Sequence, residues 1–256
     1  MNKGTVYDFL LKTIQTKGAG FLCLIDPDKH DSHNAVSLAK RCEDSGVDAI
    51  FVGGSIMLED NFNPSIKAIK QEVKIPVIIF PGIFNLGSPN ADAILFMSML
   101  SSRNPQLLIG DQVKAAPLIR KFGIETIPTA YLLIESGSLT SVQYMSDSMP
   151  IPRNKYDIGV AHALAAEYLG MKLVFMDAGS GAKMSVPLEM IREVKSNINI
   201  PLIIGGGIKS PDEAREKVEA GADFIVIGNA IENNDDCNLI EAFANAIHNQ
   251  SQQDRA

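Results

Sequence analysis

Short apolar runs alternate with amphipathic stretches along most of this chain. Each run is almost continuously apolar, which is typical of parallel strands covered on both faces. The eight predicted strands span residues 21–26, 49–53, 76–80, 93–98, 126–133, 172–177, 201–205 and 224–228. Helical periodicity follows most of them, over residues 34–44, 65–73, 112–121, 157–169, 187–195, 211–220 and 239–248. Eight alternating units predict a single-domain α/β protein, a closed (β/α)8 TIM-type barrel.

The connection between the third and fourth strands is too short for the usual crossover. Residues 81–92 contain Gly82, Gly87 and Pro89, which disfavour a helix. We predict that the helix after strand three is missing or replaced by a loop, which leaves a groove in the outer helical ring. Residues 135–153 are predicted to form a long loop at the carboxyl ends of the strands, where barrel enzymes carry their sites.

Two segments at the second and eighth strands resemble each other. Residues 46–55 read GVDAIFVGGS, and residues 221–230 read GADFIVIGNA. A duplicated half-barrel would shift related segments by four units, which these are not. The likeness reflects either shared local chemistry around a strand or a distant repeat.

Composition narrows the functional classes. The 256 residues carry a net charge of −7 with no basic cluster, which argues against a nucleic-acid partner. Three cysteines without metal-ligand spacing indicate a reducing compartment, and we expect a cytoplasmic protein. No apolar run is long enough to span a membrane, although a transient contact with a membrane surface is compatible with this sequence.

The glycine-rich ends of strands seven and eight give the strongest chemical signal. Gly205, Gly206 and Gly207 follow strand seven, and Gly228 and Asn229 follow strand eight. Loops at these positions often bind phosphate through backbone amides, and glycine lets the backbone approach a ligand closely. Either run alone is equally typical of a tight turn. Together they favour a phosphate site.

Two acidic motifs stand at other strand ends. Asp177 precedes Gly-Ser-Gly after strand six, where it either points into the mouth or belongs to an ordinary turn with a helix cap. Asp26 and Asp28 end strand one, and residues i and i+2 of an extended segment share a side. They either help to hold Mg²⁺, with Ser55 as a further ligand, or form a turn capped by Asp31 or Ser32.

Two apolar features border the same region. Tyr131 in strand five either packs in the core or reaches the mouth. The run 97–100, MSML, forms either core or the wall of an apolar channel, because methionine adapts to chain-like ligands.

These motifs together resemble the geranylgeranylglyceryl phosphate synthases and the related heptaprenylglyceryl phosphate synthases. Their order and spacing carry the resemblance, which extends over residues 21–232. The segments are LIDPDK (24–29), VGGS (52–55), PIPR (150–153), AGSGA (178–182), GGGI (205–208) and GN (228–229).

The resemblance implies an enzyme that joins sn-glycerol 1-phosphate to a polyprenyl diphosphate with Mg²⁺. It implies Asp26 and Ser55 as metal ligands, Asp26 and Asp177 as catalytic residues, and a homo-oligomer. The residues implied to bind substrate, together with Tyr131, are Phe175, Met176, Asp177, Ala178, Gly179, Ser180, Gly181, Gly206, Gly207, Gly228 and Asn229.

The strand-six motif departs from the family pattern. Members usually read Tyr-Leu-Glu there, whereas this chain reads Phe175, Met176 and Asp177. A hydroxyl is lost and the carboxylate arm is one methylene shorter. Two alternative functions therefore stay open, another phosphate-barrel enzyme such as a sugar-phosphate isomerase or lyase, and an inactive binder of a phosphorylated ligand.

Overall fold

Eight parallel strands close into a barrel in the order in which they occur along the chain. The structure is a computed structural model, and it describes residues 5–54, 61–82, 87–232 and 237–248. The strands are β1 Gly20–Ile25, β2 Ala49–Val52, β3 Val77–Ile79, β4 Ala93–Met99, β5 Glu125–Leu133, β6 Leu173–Asp177, β7 Leu202–Gly205 and β8 Phe224–Ile227. All eight predicted strands are confirmed, with boundaries that differ by one residue at most ends.

Helices surround the barrel. They are α1 Thr5–Lys17, α2 Ser32–Asp44, α3 Phe62–Glu72, α4 Asp111–Phe122, α5 Ser141–Ser146, α6 Tyr156–Tyr168, α7 Leu188–Asn197, α8 Pro211–Glu219, α9 Asn229–Glu232 and α10 Cys237–His248. Asp31 caps α2 by accepting from the Asn34 amide at 2.8 Å, as one of the two sequence interpretations proposed. Among these described helices, none has the length and apolar content needed to cross a membrane.

The connection from β3 to β4 departs from a regular barrel as predicted. Its described residues, 80–82 and 87–92, form no helix. The outward side chains Ile94 and Phe96 of β4 therefore face a gap in the helical ring. Helix α4 borders this gap, and a short π-helical stretch at Gln106–Gly110 leads into it.

Three helices, α1, α5 and α9, were absent from the sequence prediction. The predicted loop over 135–153 contains α5, a short helix of polar and apolar residues whose length is near the limit of periodicity analysis. Helix α1 precedes the first predicted strand and covers the bottom of the barrel with Val6 and Leu10. Glu125 at the start of β5 holds it by accepting from the Val6 and Tyr7 amides at 2.8 and 3.1 Å.

Two apolar layers result from the alternation of side chains along the strands. Inward residues such as Leu22, Phe51, Ile203 and Phe224 fill the barrel, so the interior is a packed core and not a pore. Outward residues pack against the helices in a second, larger cluster. Cys23 and Cys42 are buried there as free thiols.

Candidate active site

A cavity of about 870 Å³ lies at the carboxyl ends of the strands. One end is built from the loops after β6, β7 and β8, and the other extends between β4, α4 and α5. The first end is lined by backbone and polar side chains and the second by apolar side chains. We call them the polar end and the apolar arm.

Glycines shape the polar end because side chains would fill it. Gly206 has φ of 77°, and a Cβ there would lie 2.4 Å from an Asp177 oxygen and 2.6 Å from the Gly179 nitrogen. Gly228 and Asn229 line the opposite wall, where α9 begins, and the first amides of a helical turn have no carbonyl partner within it. Ser180 completes the wall, and its hydroxyl accepts from the side-chain amide of Asn229 at 3.2 Å. This arrangement suits a phosphate group.

Asp177 is buried at the centre of the cavity. One carboxylate oxygen accepts from the Tyr131 hydroxyl at 2.5 Å, and the other accepts from the Gly179 amide at 2.9 Å. Burial raises the pKa of Asp177 above its usual value, and the two hydrogen bonds offset only part of that effect. Because both described partners are neutral, the ionised carboxylate keeps basic character and suits proton transfer.

Tyr131 belongs to an aromatic cluster beneath that carboxylate. Its ring lies 5.6 Å from that of Phe175 and 6.5 Å from that of Phe80, both in edge-on geometry. Tyr131 and Phe175 are paired in the β5–β6 register, so neighbouring strands present both rings to the cavity. Both sequence interpretations of Tyr131 are therefore correct, since a packed ring carries its hydroxyl to the mouth.

Asp26 lines the cavity at the end of β1, next to the β8 loop. Its carboxylate accepts from the Asp28 amide at 3.1 Å, and the Lys29 ammonium lies 4.0 Å away. Burial raises the pKa of Asp26 above its usual value despite these contacts. Gly54 keeps the adjoining space open, because a Cβ there would come within 3.0 Å of the carboxylate.

Lys29 and Glu232 connect the β1 and β8 loops around Asp26. The Lys29 ammonium donates to Glu232 and to Asn229, each at 2.8 Å. Glu232 is nearly fully buried, and its other oxygen accepts from the Asp26 amide at 2.8 Å. The position of Asp26 therefore depends on a carboxylate from the far end of the barrel sequence.

The apolar arm passes from the inside of the barrel to the outside across the end of β4. The inward Met97 and Met99 and the outward Ile94 and Phe96 all line it. Its remaining walls come from the π-helical stretch, α4 and α5, with Leu107, Ala115, Ile119, Val142 and Met145. The predicted groove is thus present beside β4, and the run 97–100 contributes to its wall.

Most predicted site residues face this one cavity. Its lining includes Asp26, Tyr131, Phe175, Asp177, Ser180, Gly181, Gly206, Gly207, Gly228 and Asn229. Met176 and Ala178 do not line it, because strand alternation turns their side chains into the outer core. The prediction that these two residues bind substrate is therefore restricted to their backbone. Gly179 takes part through its amide, and Ser55 lies outside the described residues.

Sequence reasoning missed Lys29 and Glu232 as members of the site. Lys29 was visible within the DPDK motif but had no partner in the sequence. Glu232 gave no local signal, because only the closed barrel brings β8 beside β1. Among the described residues, no group of three or more His, Cys, Asp or Glu side chains is arranged to hold a metal ion.

Nearly the whole chain matches one protein family. Residues 12–247 match the model of the PcrB family. The chain belongs to the PcrB family. Geranylgeranylglyceryl phosphate synthase from Methanosphaera stadtmanae is 46% identical to this PcrB-family chain over 244 residues, which cover 95% of the chain and 99% of that relative. The enzyme of the same name from Pyrococcus horikoshii is 47% identical over 230 residues, 90% of this chain and 89% of that relative.

A solved structure extends the family relationship to three dimensions. The crystal structure of (S)-3-O-geranylgeranylglyceryl phosphate synthase from Thermoplasma acidophilum, in complex with sn-glycerol-1-phosphate, superposes with a TM-score of 0.91. It shares 36% identity with this PcrB-family chain and covers 96% of it and 99% of its own length. The family suggested by the sequence motifs is therefore confirmed.

Proposed function

We propose that this chain is a geranylgeranylglyceryl phosphate synthase. It transfers a prenyl group from a polyprenyl diphosphate, most simply geranylgeranyl diphosphate, to sn-glycerol 1-phosphate. The observation that carries the proposal is the continuity of the cavity, since a glycine-lined polar end, a buried carboxylate and an apolar arm share one space. A sugar-phosphate isomerase or lyase has no use for such an apolar arm.

The polar end is assigned to the acceptor. Backbone amides around Gly206 and Gly228, with Ser180 and Asn229, would hold the phosphate of glycerol phosphate. One of the two free hydroxyls of the glycerol phosphate would then face Asp177, which takes its proton as the ether bond forms. Tyr131 fixes the orientation of Asp177 through its hydroxyl. Positioning of the two reactants supplies much of the expected rate.

The side of the cavity formed by the end of β1 and its loop is assigned to the diphosphate. The bond between the first prenyl carbon and the diphosphate oxygen breaks, and its electrons leave with the diphosphate. Lys29 offers a positive charge to that group, and Asp26 offers a carboxylate to the cation that would accompany it. The glycerol oxygen bonds the allylic carbon, whose positive character the neighbouring double bond delocalises.

Mg²⁺ is the proposed cofactor, with Asp26 and Ser55 as its protein ligands. The described residues fit it, because Asp26 is a partly buried carboxylate with a raised pKa and Gly54 keeps space beside it. One or two protein oxygens suffice for Mg²⁺ when substrate phosphates complete its shell. When bound, the ion would neutralise the diphosphate as it leaves.

The altered strand-six motif is compatible with activity. Phe175 lacks the hydroxyl that the family usually carries at this position. Tyr131 on the neighbouring strand β5 brings a hydroxyl to Asp177 instead. Asp177 is shorter than glutamate, yet it is held between two donors within the cavity. These contacts favour an enzyme over an inactive phosphate binder. A homo-oligomer stays a prediction that rests on the family resemblance.

A transfer assay tests the proposal. Radiolabelled sn-glycerol 1-phosphate would be incubated with the protein, Mg²⁺ and prenyl diphosphates of several lengths, and label would be counted in the organic phase. We expect transfer, with sn-glycerol 3-phosphate as the poorer acceptor. Binding of glycerol phosphate by calorimetry without transfer would favour the inactive binder, and neither transfer nor binding would refute the assignment.

A further inference from the structure

The outer surface around the apolar arm carries exposed apolar side chains that the reaction does not use. Ile109 and Val113 lie one turn apart where the π-helical stretch enters α4, so they share a face. Val113 is 63% exposed. Tyr144 on α5 and Met149 beyond it are 73% and 84% exposed. We call these four residues the apolar rim.

The rim lies on the outside of the arm, and its four residues do not line the cavity. Its neighbours Leu107 and Met145 line the cavity directly, one from each side. The two sides are also joined, because the Ser148 hydroxyl donates to the Ser102 hydroxyl at 2.7 Å and holds the α5 segment against the loop after β4. The exposed apolar residues therefore lie on the same two segments that wall the arm, where the chain-like substrate would bind.

The charge on α4 differs in sign from that of the whole protein. The exposed charged residues of this helix are Lys114, Arg120 and Lys121, all basic, in a chain of net charge −7. Its one acidic residue, Asp111, accepts a hydrogen bond from Gln106. Arg120 follows Val113 by two helical turns and so continues the same face. The α5 side, residues 141–149, adds a single carboxylate, Asp147.

We propose that the apolar rim and the basic face of α4 dock on an anionic lipid surface. Exposed apolar side chains beside lysines and arginines are the combination that binds the interface of a bilayer with anionic lipids. A prenyl diphosphate with a long tail resides in such a bilayer, and docking would place the arm at its source. The inference rests on the proposed function for its purpose, but the surface itself is observed independently of the chemistry.

Vesicle co-sedimentation of the full chain tests the docking. We expect the wild type to sediment with phosphatidylglycerol vesicles and to bind phosphatidylcholine vesicles weakly. The double variant Val113→Ser/Tyr144→Ser should lower binding to anionic vesicles about tenfold, and Lys114→Glu about fivefold. The matched control is Leu169→Ser/Tyr168→Ser, which removes the same kind of side chains, 67% and 81% exposed, near the end of α6. It should bind as the wild type does.

Two further measurements separate the docking from its rivals. Light scattering gives the mass of each variant, and a lower mass for the rim variant with unchanged vesicle binding would overturn the proposal in favour of contact with a second copy. Turnover with a short, water-soluble prenyl diphosphate should be equal in the rim variant and the wild type. Turnover from a long-chain substrate held in anionic vesicles should fall only in the rim variant.

The outcomes distinguish the two proposals. Vesicle binding by the wild type without turnover of any prenyl diphosphate would refute the proposed function and leave the docking surface standing. Turnover of the short substrate without vesicle binding would refute the docking alone. Equal vesicle binding by the rim variant and the wild type would also refute it.

Discussion

The two ends of the barrel use buried or partly buried carboxylates in opposite ways. At the bottom, Asp48, Asp92 and Asp223 stand immediately before β2, β4 and β8. Each accepts an amide hydrogen from the preceding strand at 2.8 Å and pairs with a lysine, namely Lys17, Lys70 or Lys195. A negative charge that is hydrogen-bonded and paired with a cation can be buried at small cost.

At the mouth, Asp26 and Asp177 have weaker compensation. The described partners of Asp177 are a hydroxyl and an amide, and the ammonium nearest Asp26 is 4.0 Å away. Burial therefore raises the pKa of both carboxyls, whereas the pKa of Asp48 is lowered. The bottom carboxylates serve stability, and the mouth carboxylates are arranged for something that binds beside them.

Asp26→Asn should give the largest effect at the mouth. The amide oxygen can still accept from the Asp28 amide, but the negative charge beside the diphosphate and its cation is lost. We expect turnover to fall on the order of 10³-fold in the prenyl transfer assay. The free energy of unfolding should change by less than about 0.5 kcal/mol. Asp31→Asn, which keeps the cap of α2, is the control and should retain activity. A loss below tenfold in Asp26→Asn would contradict the assignment.

Asp177→Asn removes the proposed proton acceptor and should lower kcat about 10²–10³-fold. In the wild type, kcat/KM should fall as the pH drops through the raised pKa of Asp177, because protonation removes the base. The variant should lack that acid limb.

The raised pKa of Asp177 also affects stability. It means that the folded state binds the proton more tightly, so ionisation of Asp177 lowers stability as pH rises through that pKa. The variant should therefore be at least as stable as the wild type at neutral pH, and a clear destabilisation would count against this account.

Asp48→Asn tests the bottom of the barrel. Burial alone raises the pKa of Asp48, but hydrogen bonds from His248, Lys17 and the Phe21 amide outweigh it and lower the pKa. We expect a loss of about 3 kcal/mol in the free energy of unfolding by urea at neutral pH, with kcat unchanged. Because the pKa of Asp48 is depressed in the folded state, the stabilisation by its ionised form is present above the unfolded pKa. It is lost as pH falls through the folded pKa.

The difference between wild type and Asp48→Asn should accordingly shrink in acid. Asp212→Asn is the matched control, since Asp212 pairs with Arg215 at 2.9 Å on the exposed surface of α8. It should cost less than about 0.5 kcal/mol. If the two variants lost equal stability, or if Asp48→Asn lost activity while folded, the contrast between the two ends would be wrong.

The fold was predictable because each strand is buried on both faces and is bounded by polar residues or glycine. The likeness between residues 46–55 and 221–230 also has a local explanation. Asp48 and Asp223 occupy the same position before a strand, and Gly46 and Gly221 both have positive φ, 97° and 112°. The shared residues thus build the same bottom contact twice, without requiring a repeat.

The site was only partly predictable, since it depends on distant residues. The glycines at strand ends and Asp177 are local signals in the sequence. The strand pattern also predicted that they lie together at the carboxyl ends of the barrel strands. Glu232 gave no local signal, and the helices α1 and α5 gave too little periodicity. Met176 was included among the substrate-binding residues although strand alternation turns its side chain outward. The cytoplasmic location stays a prediction from the cysteine count.

Phe175→Tyr offers the smallest and most specific change. The ring of Phe175 points toward Gly205, where an added Cβ would meet its Cζ at 2.9 Å. A hydroxyl on Cζ would therefore extend toward the backbone of the polar end, beside the proposed glycerol phosphate site. We expect the KM for glycerol phosphate to fall about fivefold, the worth of one added hydrogen bond, with kcat within about twofold of the wild type. Tyr131→Phe is the reciprocal variant, and it should lower kcat because it frees one oxygen of Asp177. An unchanged KM in Phe175→Tyr would mean that Tyr131 already supplies the only hydroxyl that this cavity uses, and that the strand-six departure carries no cost in acceptor binding.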